Sequence, residues 1–436
     1  MRVARFNRHW TIVAAIGLAI APLWAAAQEE PASDSPPLVP GTSSAEQVWS
    51  ESPGDFSGAA GSNVDFADQF YFAAAANRSS RFWTRGEALL WWVKGNSLPP
   101  LVTTSPAGTL REAAGVLPDA QVLFGGDRVD NNARFGARIT IGYWFDDEQV
   151  NGLEGSWFAL GDGGNTGNFS ATGVDGAPIL ARPFFNASQE AQDAQLVSFP
   201  NVVDGRVATT TSSFLDSAGL LLRHRLRSGP RGQIDFLGGY RFLRFREGLS
   251  IQENLVSTAN GGLIQQGTTI DLVDRFRTAN EFNGGELGMA FWFSNSRWTL
   301  DGAAKLGLGN VHQTVAIHGN TVVTVPDDSP AQSTGGLLAL PSNIGTTSHN
   351  KFALLPELDL NLRYQLTPRL SLVTGYSVLF LTSVVRTGNQ IDTNVDSTQL
   401  PTASGALGSG ATRPAALFHD TSFWAQGLAI GLDLRL

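Results

Sequence analysis

Arg134-Phe135-Gly136-Ala137-Arg138-Ile139-Thr140-Ile141-Gly142-Tyr143-Trp144-Phe145 decides the fold. Phe135, Ala137, Ile139, Ile141, Tyr143 and Phe145 share one parity; Arg134, Gly136, Arg138, Thr140, Gly142 and Trp144 share the other. A strand sends alternate side chains to opposite faces, so this stretch has an apolar face and a polar one. A helix would instead space its apolar residues three and four apart. Phe352 to Tyr364 repeats the pattern, with Leu354, Pro356, Leu358, Leu360 and Leu362 set against Leu355, Glu357, Asp359, Asn361 and Arg363. In Trp298 to Leu308, Leu300, Gly302, Ala304 and Leu306 alternate with Thr299, Asp301, Ala303 and Lys305.

Ten such segments lie at roughly 82–94, 134–145, 150–160, 209–227, 233–247, 278–293, 297–309, 352–365, 370–385 and 422–436. Short connections, around Asp146-Asp147, Ser228-Gly229-Pro230, Ser294-Asn295-Ser296 and Thr367-Pro368-Arg369, alternate with five long ones of about thirty to fifty residues. An even strand number with short turns on one side and long loops on the other is the pattern of an outer-membrane barrel. The fold class is therefore all-β. It is an antiparallel up-and-down transmembrane β-barrel of about ten strands, twelve if Gly161 to Val207 hides a further pair, with short periplasmic turns and long extracellular loops. Phe82, Tyr143, Phe145, Phe293, Trp298 and Tyr364 gather on the apolar face near the short turns, as an aromatic girdle at headgroup level.

Two segments fit less well. Asp216 and His224 share a face with Phe214, Ala218, Leu220 and Leu222, and call for a bulge or an interfacial position. Arg244 and Arg246 share a face with Ile234, Phe236, Tyr240 and Phe242; since about ten residues span a bilayer, those arginines belong above it.

Composition agrees. The 436 residues are 42% hydrophobic and 16% charged, with 48 Gly, 26 Phe and 11 Trp, a balance suited to a turn-rich β protein. With no Cys there is no disulfide framework, thiolate metal site or cysteine nucleophile. A net charge of −9 without a basic stripe argues against nucleic acid as a partner. Residues 1–27 read as a signal peptide: Arg2, Arg5 and Arg8 precede the apolar run Trp10–Trp24, and Ala25-Ala26-Ala27 supplies the cleavage pattern. Residues 28–80 read as an acidic, flexible periplasmic tail with eight carboxylates from Glu29 to Asp68. The barrel occupies 81–436.

The polar faces carry lumen charges: Arg85, Glu87, Arg134, Arg138, Glu154, Arg241, Glu286, Asp301, Lys305, Glu357, Asp359 and Arg363, joined by Arg223, Asp235, Asp433 and Arg435. Eight of each sign over about ten strands imply ion pairs across a narrow lumen. That suits a small, weakly selective pore or a filled barrel acting as an anchor.

Several stretches resemble the putative beta barrel porin-7 family. They are Gly86-Glu87-Ala88-Leu89-Leu90-Trp91-Trp92 followed by Leu98-Pro99-Pro100-Leu101-Val102-Thr103-Thr104, then Gly239-Tyr240-Arg241-Phe242 and Asn280-Glu281-Phe282-Asn283-Gly284-Gly285. Leu355-Pro356-Glu357-Leu358, Gly375-Tyr376-Ser377, Val385-Arg386 with Gln390-Ile391-Asp392, and Phe423-Trp424-Ala425-Gln426-Gly427 follow. The resemblance implies an outer-membrane barrel and brings no catalytic or binding residue. Thr387 stands where the family tends to have Pro, and the chain ends in Leu436 rather than an aromatic.

Candidate chemistry is sparse. Ser348-His349 has no Asp or Asn at a triad spacing. His312 and His318 lack the close spacing of a helical metal site. Asp127, Asp130, Asn131 and Asn132 match no EF-hand and read as turn residues. No cofactor or metal is expected. The expectation is a non-enzymatic, porin-like protein of the cell outer membrane in a Gram-negative-type envelope, passing small solutes at most. Its partners are outer-membrane lipid and the barrel-assembly machinery. A structural or surface-interaction barrel with a filled lumen is the other reading. Amino-terminal sequencing of the membrane-embedded protein should find Gln28 first, and recovery from the cytoplasm or inner membrane would contradict the export reading.

Overall fold

The computed structural model describes residues 80–259, 264–401 and 413–436. The signal peptide over 1–27 and the acidic tail over 28–80, apart from Ser80, fall outside them. Ten strands form the ring: β1 (Phe82–Val93), β2 (Arg134–Trp144), β3 (Asn151–Leu160), β4 (Val203–Gly229), β5 (Gly232–Ser257), β6 (Thr269–Asn295), β7 (Trp298–Thr324), β8 (Gly345–Gln365), β9 (Leu370–Val385) and β10 (Asp420–Arg435). Each pairs antiparallel with its neighbours in sequence, and β1 closes on β10 with Trp83 opposite Arg435. Through the lower ring every strand is paired on both sides, the requirement for a sheet in hydrocarbon, and above it the Gly345–Pro356 part of β8 pairs with β7 alone.

The short turns are built locally. Asp146 accepts hydrogen bonds from the amides of Val150 (2.5 Å) and Asn151 (2.8 Å), while Gln149 takes a positive φ of 56°. Between Asn295 and Trp298 the chain reverses in two residues, and Ser296 takes the left-handed φ of 57° that such a hairpin needs. Thr367 accepts from the amides of Arg369 and Leu370.

The apolar parity points outward. Phe135, Ile139, Ile141, Tyr143, Leu300, Leu306, Leu358, Leu360, Leu362, Leu428, Ile430 and Leu432 are all exposed on the outer wall. A contiguous apolar belt of this size marks a lipid-facing surface. Its short-turn edge carries the aromatic set, with Phe82 opposite Tyr143 and the rings of Trp298 and Tyr364 4.7 Å apart. Trp92, Phe135, Phe352 and Trp424 lie towards the other edge. Asp216 and His224 sit at the two margins, not in the belt. His224 meets Asn151 at 2.8 Å near the short turns, and Asp216 is covered by a two-pronged contact from Arg244 at 3.0 and 3.2 Å.

The structure corrects two expectations. β4, β6 and β7 are 27 residues long and β5 is 26, so the wall runs about 85 Å along each strand, far past what the belt requires. Two connections are accordingly shorter than read from sequence, 258–268 and 325–344, and 94–133, 161–202 and 386–419 remain the long ones. Above the belt the alternation inverts. In β7, Leu300, Leu306 and Leu308 face out below Gly309, whereas Val311, Val315 and Ile317 face in above it, with Asn310, His312 and His318 outside. Scanning for one phase ends the strand at the inversion. Second, Gly161 to Val207 adds no barrel strand beyond the start of β4. Thr166–Ala171 lies along β4, and Ile179–Asn186 and Ala191–Ser198 join Val102–Ser105, Gln121–Phe124 and Asn394–Val395 in a small sheet of their own.

That sheet and its loops fill the upper ring. Leu98, Leu101, Val102, Leu180, Phe184, Leu337, Leu338, Leu340, Ile391 and Val395 pack against the inward residues Leu249, Ile251, Leu255, Phe276, Val315 and Ile317 in one buried cluster. If the belt is the lipid face, Leu306→Arg should destabilise by about 2–4 kcal/mol when it lies near the midplane, and a polar change at inward Thr299 by far less. Unfolding in lipid vesicles measures both, and equal costs would mean the facing is wrong.

Candidate functional site

The interior below the loops has two layers. The lower one is a cavity of about 470 Å³ opening among the short turns, lined from Ser80, Pro230, Arg231 and Arg369 inward to Phe158, Leu237 and Glu357. Ten cationic and seven anionic side chains line it, and each of the seven carboxylates is ion-paired. Several pairs cross the lumen. Arg138 on β2 meets Asp359 on β8 at 3.0 Å and holds Glu87 on β1 at 2.6 Å. Arg85 on β1 reaches Asp301 on β7 at 3.2 Å, and Asp301 also takes Arg363 at 2.7 Å. Asp433 receives Arg85 (3.4 Å), Arg363 (3.5 Å) and Arg435 (3.4 Å). Lys305 pairs with Glu357 and, at 3.2 Å, with Asp359, while Arg241 reaches Glu357 at 2.5 Å. Multiple pairing of this kind offsets the cost of confining charges away from bulk water.

Near the mouth, Arg223 joins Glu154 (2.5 Å) and Asp235 (3.0 Å), with its guanidinium 5.8 and 5.7 Å from the rings of Trp83 and Trp144. Gly142 permits this, because a Cβ there would strike the Trp83 indole. Glu286 is the exception among the interior carboxylates. It is fully buried, neither oxygen has a hydrogen-bond partner, and its nearest cation is Arg241 at 4.0 Å.

Above the cavity lies an apolar layer. Nine of the ten strands contribute, among them Leu89, Trp91, Phe158, Leu160, Leu215, Leu243, Phe245, Phe282, Val311, Leu355, Leu379, Leu381 and Phe423. Phe245 and Phe423 stand on β5 and β10, opposite sides of the ring, yet their rings stack at 4.1 Å. Trp91 and Phe158 meet at 5.2 Å. This layer lies between the charged cavity and the docked loops.

Eleven of the twelve charges singled out above belong to the lower network. Arg134 does not. It points inward but sits with the loops, donating to Ser213 O and Oγ (3.1 and 3.0 Å) and to the carbonyl of Asp130 (2.9 Å). It lies on β2 at the loop end of the strand, above the charged layer, and fixes a loop to the wall. Ser348 and His349 face opposite sides of β8: Ser348 meets Thr314 at 3.0 Å and His349 stacks on Phe418. Asp127 takes the Arg128 amide and Asp130 accepts from Thr211, as turn and docking residues do. His312 meets Asn350. Among the described residues no cluster of three or more His, Cys, Asp or Glu could hold a metal ion.

Sequence reasoning missed the residues that dock the loops. Arg386 sends Nη2 to Glu247 (2.6 Å) and Nη1 to the Gly95 carbonyl (2.7 Å), with its guanidinium 5.6 and 5.9 Å from the rings of Phe245 and Phe423. Fully buried Arg182 pairs with Glu253 and, at 2.8 Å, with Asp274. Asp274 also accepts from the amides of Leu337 (3.1 Å) and Ala339 (3.0 Å). The available signal was the inward parity of Glu247 and Glu253, which continues that of Asp235 along β5.

A closed antiparallel ring with an apolar outer belt and a charged lumen defines an outer-membrane β-barrel. The chain belongs to the putative beta barrel porin-7 family, which matches residues 83–436. No curated protein matches it. Among solved structures it is similar to the outer membrane protease OmpT from Escherichia coli, at 9% identity over 82% of this chain and 97% of that one, with a TM-score of 0.38. It is also similar to a Pseudomonas aeruginosa FadL homologue (7%, 81% and 89%, 0.21) and to the Pseudomonas putida toluene transporter TodX (10%, 80% and 88%, 0.19). Likeness at these scores carries no argument about activity.

Two carboxylates outside the membrane band tie the loops together. Burial pushes Asp392 and Asp396 up, but hydrogen bonds outweigh it: from Ala415, Asn394 and Arg413 to Asp392, and from Ser188, Thr398 and Gln399 to Asp396, which is held down at about 2. A depressed carboxylate contributes stability that is present above its unfolded value near 3.9 and is lost as pH falls through the folded value. The 386–401 segment should thus resist pepsin at pH 4 and become cleavable near pH 2. Resistance unchanged across that window would remove these carboxylates from the docking.

Proposed function

We propose that the protein is a non-enzymatic, porin-like barrel of the outer membrane, closed at rest and admitting at most small solutes by passive passage. In this reading the short turns face the periplasm and the loops face out. One observation carries it: a charged cavity open among the short turns reaches inward only to Phe158, Leu237 and Glu357, and beyond it lies an apolar layer in which Phe245 and Phe423 stack across the ring. A solute entering from the short-turn side meets more cationic than anionic groups, which favours anions. It passes only if the apolar layer parts.

The second reading is a structural or surface-interaction barrel acting through its loops. The apolar packing between the loops and the tall upper wall favours it, since such a core closes the ring without any need to open.

Single-channel recording in planar bilayers separates the two. The intact protein should give small or no conductance. Phe245→Ala with Phe423→Ala should raise it, and Arg138→Ala in that background should weaken anion preference. A folded double variant that stays silent would favour the filled barrel. A large, steady conductance in the unmodified protein would refute closure.

A further inference from the structure

Outside the ring, just above the lipid-facing belt, β5 and β6 carry three arginines that the interior network does not use. Arg246, Arg275 and Arg277 all lie on the outward parity. Register places them together: Arg246 is opposite Ala279, Arg277 is opposite Gly248, and Arg275 is opposite Ser250. On the other flank Arg277 faces Ala316 and Arg275 faces His318. Four of these neighbours, Ala279, Gly248, Ser250 and Ala316, are small, and the larger ones are His318 beside Arg275 and Phe214 beside Arg246.

None of the three has an ion-pair partner among the described residues; Arg246 lies over the Phe214 ring at 5.5 Å. The contrast is with Arg244 one step below, which is tied to Asp216 at 3.0 Å. Glu281, opposite Arg244, and Asp271, four residues from Arg275, share this face and form no ion pair with any of the three. In a chain of net charge −9, three uncommitted guanidiniums on one patch are a local departure from the whole.

Their height is informative. Arg246 stands four residues beyond Phe242, about 13 Å along a tilted strand, which is where headgroups begin above the apolar belt. Guanidinium forks match phosphate oxygens two at a time. Basic side chains next to a bilayer are drawn to anionic headgroups.

We propose that Arg246, Arg275 and Arg277 form a binding site for the phosphate groups of a membrane lipid headgroup at the loop end of the barrel. The site is independent of whether the lumen conducts, so it stands or falls apart from the porin reading.

The test uses the full chain in a zwitterionic detergent, with native mass spectrometry reading retained lipid. The probes are lipid A, which carries two phosphates, and phosphatidylcholine. Lipid A should be retained by the unmodified protein. Retention should fall about tenfold in Arg246→Ala with Arg277→Ala, each lost fork removing a charge-assisted contact. It should be kept in Arg111→Ala with Arg206→Ala, which removes the same charge elsewhere, and partly restored by Lys at 246 and 277. Heat-modifiable gel mobility checks that each variant is folded. Equal retention in both double variants, or equal retention of phosphatidylcholine, would overturn the site. Displacement of lipid A by an equal concentration of inorganic pyrophosphate would assign it to a soluble phosphate and overturn the lipid.

Discussion

Everything in this protein follows from the need to leave no backbone amide unpaired in hydrocarbon. An open sheet edge there would cost several kcal/mol per unsatisfied group. Ten strands meet the constraint by closing β1 on β10 over eleven consecutive residue pairs. Closure fixes parity: once Trp83 stands opposite Arg435, every odd residue of β1 faces in and every even one faces out. Arg85 and Glu87 are thereby committed to the lumen, and Leu90 and Trp92 to lipid.

Closure also creates an interior that must be filled or wetted. The chain does each at a different height. Through the lower belt the inside is charged and its charges pair across the ring, giving way to apolar side chains such as Leu89 and Trp91 at the belt's upper edge. Where the outside is water, the inside is apolar and the loops fold back into it. The boundary is the same on adjacent strands, since Leu243 sits opposite Phe282, and Asn283 opposite Asn310. Glu247, Glu253 and Asp274 then act as anchors in the apolar part. Each holds a loop through an arginine or through backbone amides, so the loops dock in one register. Breaking one such buried pair from one side leaves a charge without its partner, typically about 3–5 kcal/mol.

This layout explains what could be read from the sequence. Ring strands such as Arg134–Trp144 were legible because one face meets lipid and the other meets charge, the strongest contrast a strand can carry. The eleven lower lumen charges were legible for the same reason. The upper parts of β4 to β8 were not, because outward residues such as Arg206, Thr314 or Asn320 look like loop when an apolar outer face is the criterion. These residues alternate with inward Val207, Val315 and Ile317 once the phase is inverted. Arg134 shows the limit of parity: it faces inward as read, but its height, set by Asp130 and Ser213 around it, decides that it fixes a loop and not a lumen pair.

Parity likewise could not reveal the stacked plug. Phe245 and Phe423 each look like one more apolar residue on a face otherwise polar, 178 positions apart in the chain. Only the ring count makes them partners, because strands five steps apart in a ring of ten are diametrically opposed. With fewer than about ten strands such rings would collide, and with many more they could not reach across. Barrel size and aromatic length therefore act together to make a contact at 4.1 Å, and Arg386 on the loop side of both rings links that contact to the loops. The loop that begins at Arg386 and the apolar layer above the cavity therefore share a contact, so the outer loops and the roof of the lumen are joined parts.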